Sequence, residues 1–365
     1  MTIQMSEKAY AAGALMEGAF AGDRRDKAKF FEQLTSGEIP VSLLQAPLTA
    51  RLITAWGGIE DEVGAAAASV TVDDFTLQSV YRLAFDDDSQ VLEVNEGKAR
   101  VKGDLPRIGE LGEYQTFGFS SSNVGYRAYK NGIKFGLSWE AIINGRSLSL
   151  IERAVNQMAR MARNTRNSEV FGQYVTSSSL NTANLLTGGA TPNVIPLNPA
   201  LSLTSLQQGL ALAATHKVNN QLYPISGKYT LLVPPALEQT ARNILSITEI
   251  TTQNGTGSGS TLTKAGNPVA GKLDFQVSTT LSRINSGSGA YWFLIPDLNQ
   301  TEGYRPEIWT VRGNEAPKVF VKSTTNADPT EGDFDHDAYE TKLRSTDSGV
   351  NTGMLGVIAS NGSGS

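Results

Sequence analysis

The stretch Phe135-Gly-Leu-Ser-Trp-Glu-Ala-Ile-Ile143 joins the two halves of a tract that runs from Phe75 to Val175. Before it, apolar residues recur at every second position, which is typical of strands. After it, they gather on one face of a helical wheel, which is typical of an amphipathic helix. The tract therefore predicts an oversized β-hairpin, a short helix capped at Ser138, and then a long helix.

The first strand of the hairpin is predicted from five apolar side chains that alternate with polar ones. They are Phe75, Leu77, Tyr81, Leu83 and Phe85. This pattern is typical of a half-buried strand. Extended character returns at 114–119 and 124–129. The middle of the hairpin, between the first strand and residue 114, is rich in glycine and polar residues. Some fifty residues before the helix hold too few apolar side chains for a core, so we expect another chain to stabilise this arm.

The long helix is predicted to begin near Ser147 or Ser149 and to have one apolar and one basic face. At about 100° per residue, the apolar face holds Leu148, Ile151, Val155, Met158 and Ala162, and the basic face holds Arg146, Arg153, Arg160 and Arg163. Between Arg146 and Arg166 there are five arginines and one acid, Glu152. After Arg163 the phase breaks, so we expect a bend, an end or a second buried face near 164–167.

The remaining chain predicts a mixed α/β domain that follows the long helix. The predicted helices are 201–216 and 234–245, and the predicted strands are 229–233, 273–277, 291–295, 307–311, 318–322, 339–344 and 353–358. Residues 254–260 are a flexible loop by composition. Residues 1–74 predict a surface-running arm with short helices, with a small helical domain as the alternative.

Composition excludes several classes of protein. The 365-residue chain contains no cysteine, which excludes thiolate catalysis and disulfides and fits a reducing cytoplasm. Its net charge of -5 does not indicate the basic surface that sequence-specific binding of nucleic acid requires. No apolar run is long enough for a transmembrane span, and the N-terminus does not resemble a secretory signal. We therefore expect no membrane partner.

Motifs for catalysis and cofactor binding are incomplete. Gly266-Asn-Pro-Val-Ala-Gly-Lys-Leu273 lacks the Ser or Thr of a phosphate-binding loop and precedes a strand, so it predicts a turn. His216 and His336 are the only histidines, and His216 closes a helix, where a solvated or dipole-facing side chain is expected. Asp333-Phe-Asp-His-Asp337 and Asp86 to Asp88 are acidic loops without the pattern of a calcium site. We predict no catalytic, cofactor or metal site.

The order of elements over about 230 residues resembles the major capsid protein of tailed bacteriophages, the Hong Kong ninety-seven type fold. The long helix carries this resemblance together with Leu105-Pro-Arg-Ile-Gly-Glu-Leu-Gly-Glu-Tyr114, Lys130-Asn-Gly-Ile-Lys-Phe-Gly-Leu-Ser-Trp-Glu-Ala-Ile-Ile143, Leu231-Leu-Val-Pro-Pro-Ala-Leu-Glu-Gln-Thr-Ala-Arg-Asn-Ile-Leu245, Tyr291-Trp-Phe-Leu-Ile-Pro-Asp-Leu298 and Ala338-Tyr-Glu-Thr-Lys-Leu-Arg344.

The resemblance implies an α+β fold divided into five parts. They are an N-terminal arm (1–74), an extended loop with flanking strands (75–135), a peripheral domain with the long spine helix (136–180), a mixed α/β axial domain (181–330), and strands that return to the peripheral domain before a C-terminal tail (331–365).

It also implies a non-enzymatic subunit that assembles into hexamers and pentamers of an icosahedral shell around double-stranded DNA. The extended loop would lie on an adjacent subunit, and its expected contact residues are Lys98, Lys102, Arg107, Glu110 and Glu113. Further expected partners are a separate scaffolding protein, a portal at one vertex and a decoration protein. The subunit would be assembled in the cytoplasm of the host bacterium and reside in the virion capsid.

Three interpretations of the arginine face follow from this resemblance. The face is solvated, or it pairs with acidic residues of neighbouring subunits, or it contacts packaged DNA without sequence preference. Some family members join a loop lysine to an asparagine covalently. Lys98, Lys102 and Asn351 are of the right types, but they do not align residue by residue, so we do not expect this bond.

Two alternative functions stay open from the sequence. An encapsulin-like bacterial compartment shares this type of fold and encloses protein cargo. A hydrolase or nucleotide-binding enzyme would use the glycine-rich loops, although the damaged phosphate loop and the scarcity of histidine argue against it.

Overall fold

The computed structural model describes most of the chain. The described residues are 7–20, 24–35, 45–85, 94–95, 98–99, 108, 110, 112–113, 119–138, 147–186, 192–218, 221–222, 225, 227–254, 261–269, 271–301, 303–312, 316–322 and 338–364.

Within these ranges the fold mixes helices and strands, as predicted. The helices are α1 (Glu7–Phe20), α2 (Arg24–Thr35), α3 (Gln45–Gly57), α4 (Ser147–Phe171), α5 (Leu203–Ala213), α6 (Glu238–Ser246) and α7 (Thr279–Ile284). The strands are β1 (Ala68–Val72), β2 (Gln78–Phe85), β3 (Val94–Asn95), β4 (Lys98–Ala99), β5 (Phe119–Tyr126), β6 (Asn131–Ser138), β7 (Lys217–Val218), β8 (Gln221–Leu222), β9 (Tyr229–Val233), β10 (Glu249–Asn254), β11 (Thr261–Gly266), β12 (Leu273–Val277), β13 (Trp292–Pro296), β14 (Pro306–Val311), β15 (Lys318–Val321), β16 (Ala338–Ser345), β17 (Asp347–Asn351) and β18 (Ile358–Ser360).

A four-stranded sheet, in the order β12-β9-β13-β18, forms the centre of the core. The strands β9 and β12 are parallel, whereas β13 is antiparallel to β9 and β18. Each residue from Trp292 to Ile295 is 0% exposed, and alternate side chains enter two different apolar clusters. Because both faces of this sheet are covered, the inner strand β13 has a continuous apolar sequence.

Different elements pack on the two faces of the central sheet. One face packs on the end of α4 through Phe171 and on Tyr174, whose ring meets the Phe293 ring edge-on at 5.5 Å. The Tyr174 hydroxyl donates a hydrogen bond to the carbonyl of Ala66 at 2.5 Å, and burial raises its pKa well above the usual range. The other face packs on α5 and α6 through Leu206 and Ala241.

The long helix α4 runs unbroken and buries different faces along its length. Near its middle, Met158 and Ala162 belong to one apolar cluster, whereas Val170 and Phe171 at its end belong to the core of the central sheet. Of the three possibilities predicted for 164–167, the structure shows a second buried face, since Arg166 and Asn167 are both buried.

The helices α1 and α3 pack on α4, and α2 packs on α1, which corrects the expectation of a surface-running arm. The buried side chains are Ala12, Met16, Phe30, Leu48 and Leu52. They share their cluster with the apolar face of α4, so the region is closer to the small helical unit that was the alternative. The sequence did not reveal that α4, about a hundred residues away, supplies the cover that these helices need.

Two further sheets connect distant parts of the chain. The sheet β15-β16-β6 is antiparallel and packs one face on α3 and α4, where Val319 and Leu343 are buried. The sheet β1-β14-β17 lies beside the end of α4. At Gly349 a Cβ would lie 2.0 Å from the carbonyl oxygen of Glu169, so only glycine allows β17 to approach α4 this closely.

The predicted elements match well in the centre and less well at the end of the chain. The strands β9 and β12 occupy the predicted ranges, and α5 and α6 lie within or next to the predicted helices. The predicted strand 353–358 is wrong, because β17 and β18 form on either side of a turn at Gly356. Since β18 pairs with β13, the end of the chain belongs to the central sheet and does not return with β16. The predicted short helix after Ser138 lies outside the described residues, and Ser138 itself ends β6.

Glu62 joins the segment after α3 to the start of α7. Its carboxylate accepts hydrogen bonds from the Ser278 hydroxyl at 2.6 Å, the Thr279 hydroxyl at 2.5 Å and the Thr280 amide at 3.1 Å. Burial acts to raise the pKa of Glu62, but these hydrogen bonds outweigh it, so the pKa is lowered. The carboxylate therefore satisfies donors at a helix start that would otherwise lack partners.

His216 is fully buried (0% exposed), which corrects the expectation of a solvated histidine. Its Nδ1 accepts a hydrogen bond from the Gly356 amide at 2.9 Å, so Nε2 carries the proton and donates to the Pro192 carbonyl at 2.9 Å. Burial lowers the pKa of His216, because the charged form would lose its hydration. The neutral side chain connects the end of α5 to the turn before β18.

We predict that the stability of the subunit falls as the pH drops below the ordinary pKa of His216. The unfolded chain binds a proton at His216 near pH 6.5, whereas the lowered pKa of the buried side chain delays protonation of the folded chain to lower pH. Stability is therefore retained above this pH and falls below it, with a slope of up to about 1.4 kcal/mol per pH unit. Urea unfolding of the His216→Gln variant should show a flatter profile. The matched control is His336→Gln, and a slope that survives in His216→Gln would contradict the assignment.

Candidate intersubunit surface

The strands β2 and β5 form a two-stranded antiparallel ribbon, which confirms the base of the predicted hairpin. The pairing runs from Gln78 opposite Tyr126 to Phe85 opposite Phe119. Eight residues per strand span about 24 Å. At the base, the Tyr126 ring meets the Trp309 ring edge-on at 6.0 Å, and the Tyr126 hydroxyl donates to the carbonyl of Asn351. The base of the ribbon is therefore attached to β14 and β17.

Three large apolar side chains at this base are exposed. Phe75 is 38% exposed, Leu77 is 69% exposed and Tyr129 is 63% exposed. Phe75 and Leu77 precede β2, so their assignment to a half-buried strand is wrong for this chain. Leu77 packs over Gly125 of the partner strand, and Arg127 Nε donates to the Phe75 carbonyl at 3.0 Å. Exposed apolar side chains that lie close together are typical of an association surface.

The predicted contact residues of the extended loop are described only in part. Lys98 lies in β4, which pairs with β3 in a short hairpin, and Glu110 and Glu113 are exposed. Lys102 and Arg107 lie outside the described residues. The contact of all five with a neighbouring subunit stays a prediction.

The predicted arginine face of α4 divides into two groups. Arg153 and Arg160 are exposed and have no ion-pair partner among the described residues, while Arg146 lies outside them. Arg163 is only 4% exposed, so its assignment to an exposed basic face is wrong. Its guanidinium stacks 3.8 Å above the Trp56 ring and lies 2.9 Å from an Asp61 carboxylate oxygen.

A buried ionic cluster lies beneath α4. Arg166 Nη1 lies 2.5 Å from Asp347 Oδ1, and both side chains are less than a tenth exposed. The second oxygen of Asp347 accepts a hydrogen bond from the Ser345 hydroxyl at 2.7 Å. Asp61 approaches both Arg163 and Arg166, at 2.9 and 3.9 Å, and therefore links the segment after α3 to this cluster.

The sequence contains only an indirect signal for this cluster. The phase of the helix turns Arg166 toward the apolar side, which predicted a bend, an end or a second buried face near 164–167, but not an ion pair. Asp61 and Asp347 were missed because they lie about 100 and 180 residues away, respectively, and no local pattern distinguishes them from surface acids.

The motifs considered for catalysis occupy ordinary structural positions where they are described. Gly266 to Leu273 forms the turn between β11 and β12, as predicted. Asn267 in this turn donates hydrogen bonds to the carbonyls of Ile244 and Ile247. The acidic loops at 86–88 and 333–337 lie outside the described residues. Among the described residues there is no group of side chains suited to a metal ion and no helix able to cross a bilayer.

The family model for phage capsid proteins matches residues 122–352, which is more than half of the chain. The chain therefore belongs to the phage capsid protein family, and the predicted resemblance is confirmed. No curated protein sequence matches it.

Solved structures with a related fold come from several shells. The capsid of Myoviridae phage XM1 has 11% identity and a TM-score of 0.49 over 81% of this chain and 90% of that chain. Mycobacterium phage Patience has 10% identity and a TM-score of 0.47 over 89% of each chain. The virus-like particle from Pyrococcus furiosus has 8% identity and a TM-score of 0.42 over 86% of this chain and 96% of that chain.

We predict that Asp347→Asn destabilises the folded subunit by about 3–5 kcal/mol, because the buried Arg166 cation would lose its close carboxylate partner and keep only Asp61, at 3.9 Å. Urea unfolding of the soluble subunit measures this cost. The control is Asp274→Asn, which removes an exposed pair with Lys228 and should cost less than about 1 kcal/mol. The double variant Arg166→Met with Asp347→Leu should recover most of the loss. Equal effects of Asp347→Asn and Asp274→Asn would contradict a buried ion pair.

Proposed function

We propose that this chain is the major capsid subunit of a tailed phage and assembles into hexamers and pentamers of an icosahedral shell around double-stranded DNA. The observation that carries the proposal is the two-stranded ribbon with its exposed apolar base, on a chain of the phage capsid family. A two-stranded ribbon is marginal by itself in water. A neighbouring subunit is the partner that would stabilise it.

The mechanism of such a protein is assembly, and no chemical step is required. Each subunit contributes the same contacts many times, so a weak individual interface is sufficient for a stable closed shell. Phe75, Leu77 and Tyr129 supply apolar surface for that interface. The helices α1, α2 and α3 are engaged on α4 of their own chain, so the ribbon is the stronger candidate for contact with a neighbour.

Further partners follow from the family. A separate scaffolding protein, a portal at one vertex and a decoration protein belong to this proposal, as does assembly in the cytoplasm of the host bacterium. Arg153 and Arg160 are two helical turns apart on the exposed side of α4, at a separation of about 10 Å. The proposal includes non-specific contact of these arginines with packaged DNA, and ion pairs with a neighbouring subunit and a solvated face are the alternatives.

Deletion of residues 96–112 tests the role of the loop. The deletion should leave a soluble monomer or capsomer but no closed particles, because the far end of the ribbon would lose its contact. Size-exclusion chromatography and negative-stain electron microscopy distinguish these products. The control is deletion of 255–259, within the loop of the β10–β11 hairpin, which should leave assembly intact. Particles of normal size from the 96–112 deletion would refute the role of the loop.

The contents of purified particles distinguish the proposal from its alternative. Double-stranded DNA inside particles made during infection supports a virion capsid. An enclosed enzyme in place of nucleic acid would support an encapsulin-like compartment. Micromolar binding of ATP by the isolated chain would instead favour a nucleotide-binding enzyme.

A second prediction concerns the exposed arginines of α4. The double variant Arg153→Glu with Arg160→Glu should assemble but retain less DNA in each particle, because two cations become two anions near phosphate. The DNA-to-protein ratio of gradient-purified particles measures the effect, and Arg153→Lys with Arg160→Lys is the charge-preserving control. Loss of assembly would assign the arginines to a neighbouring subunit, and an unchanged ratio would assign them to solvent.

A further inference from the structure

The strand β6 forms one edge of the sheet β15-β16-β6, and no described strand pairs with its outer side. At eight residues it is the longest edge strand in the three larger sheets of the described chain. It pairs with β16 along its whole length without a bulge. The exposed residues of the strand are Gly132, Ile133, Lys134 and Gly136. This edge of the sheet is therefore open to solvent.

Other sheet edges are closed by the chain itself. At the edge strand β15, the Thr49 hydroxyl of α3 donates a hydrogen bond to the Val319 carbonyl at 3.3 Å. At the edge strand β18, the Ile195 amide donates to the Ala359 carbonyl at 3.1 Å. The outer backbone groups of β6 have no such partner among the described residues. Unlike β15 and β18, this edge is available to another chain.

The hydrogen bonds within the sheet identify the backbone groups on the outer edge of β6. The Lys322 amide donates to the Glu340 carbonyl at 2.9 Å, so the even-numbered residues of β16 bond toward β15. The odd-numbered residues of β16 therefore bond toward β6, where they oppose odd-numbered residues. The remaining residues of β6 direct their amides and carbonyls outward. They are Gly132, Lys134, Gly136 and Ser138.

The composition of β6 does not protect this edge. The strand contains no proline, and its single charged residue, Lys134, pairs with Glu340 of the neighbouring strand. Ile133 is 40% exposed. Beside Gly136 there is open space, because nothing lies within 4 Å of the position that a Cβ would take. A long, regular edge of this kind is typical of a strand that pairs with another chain.

We propose that β6 pairs antiparallel with β6 of a second copy of the chain, related by a two-fold axis. The two three-stranded sheets then form one continuous six-stranded sheet. A second copy fits because an antiparallel edge is complementary to itself. The exposed Tyr129, at the base of the ribbon, lies two residues before this strand, so the pairing extends that association surface. The inference rests on the proposed shell function, in which the partner is another subunit.

Hydrogen bonding and charge select one register for this pairing. Residues with outward backbone groups must oppose each other, because only they can exchange hydrogen bonds. With Lys134 opposite Gly136 of the second copy, all four outward residues of each strand have a partner. With Lys134 opposite Lys134, one outward residue of each strand loses its partner within β6 and two cations meet. The register with Lys134 opposite Gly136 is therefore the favoured one.

Disulfide formation tests the register, because the chain contains no cysteine of its own. Chains with Lys134→Cys are mixed with chains that carry Gly136→Cys, assembled and oxidised. The Cα atoms of such a pair would lie about 5.5 Å apart, which suits a disulfide. The control mixes Lys134→Cys with Asp274→Cys, an exposed position on the edge strand β12. Electrophoresis without reductant measures the linked dimer, and mass spectrometry identifies the linked residues.

A proline at Gly136 tests the same pairing without a thiol. Gly136→Pro removes an outward amide, whereas the hydrogen bonds to β16 come from the odd-numbered residues and are retained. Assembly should become at least about tenfold weaker. The matched control is Gly136→Ala, which has room for its methyl group and should assemble normally. Sedimentation and electron microscopy measure assembly, and urea unfolding verifies that each variant is folded.

The pairing predicts more linked dimer in the mixture of Lys134→Cys and Gly136→Cys than in the control mixture or in either variant alone. Equal yields, or normal assembly of Gly136→Pro, would overturn the pairing and leave the shell function intact. Loss of assembly in Gly136→Pro without this disulfide would assign the edge to a different segment or protein and overturn the second β6 as its partner. A wild-type chain that forms no assembly would contradict the shell function and the pairing with it.

Discussion

The burial of two arginines beneath α4 is the constraint on which the arrangement of the subunit depends. A guanidinium out of water is tolerated only with a carboxylate and further hydrogen bonds, and here the partners are Asp61 and Asp347. These residues lie in three segments that are far apart in sequence: the end of the N-terminal helical region, the long helix and the start of β17. Because a misplaced segment would leave a buried charge unpaired, the cluster favours a single relative position for all three.

The long helix connects this cluster to the other parts of the fold. Its first half covers α1, α2, α3 and the sheet β15-β16-β6, and its end covers the central sheet. Apolar packing supplies most of the stability in both places, while the ionic cluster between them specifies the register. Glu62 and His216 add similar fixed polar contacts elsewhere in the core. A rigid body of this kind is a suitable base for a ribbon that reaches outward.

The candidate interaction surfaces differ in character. At the ribbon base, Leu77 and Tyr129 expose apolar surface, whereas the outer face of the sheet β15-β16-β6 exposes Lys342 and Arg344 beside the Phe320 ring. Apolar contacts contribute affinity, and complementary charges contribute orientation and selectivity. A shell subunit needs both, because it must bind copies of itself in one geometry and still remain soluble before assembly.

The sequence by itself determined the elements whose signals are local: the buried strands Tyr229–Val233 and Leu273–Val277, the long helix, the base of the hairpin and the family of the protein. Only the tertiary structure decided which faces these elements bury. In the structure, Arg163 and His216 are buried, whereas Phe75 and Leu77 are exposed. The N-terminal helices share an apolar cluster with α4, and β18 pairs with β13 in the central sheet. The physical reason is that periodicity reports which side chains share a face, whereas burial and ion pairing depend on partners that lie a hundred residues or more along the chain.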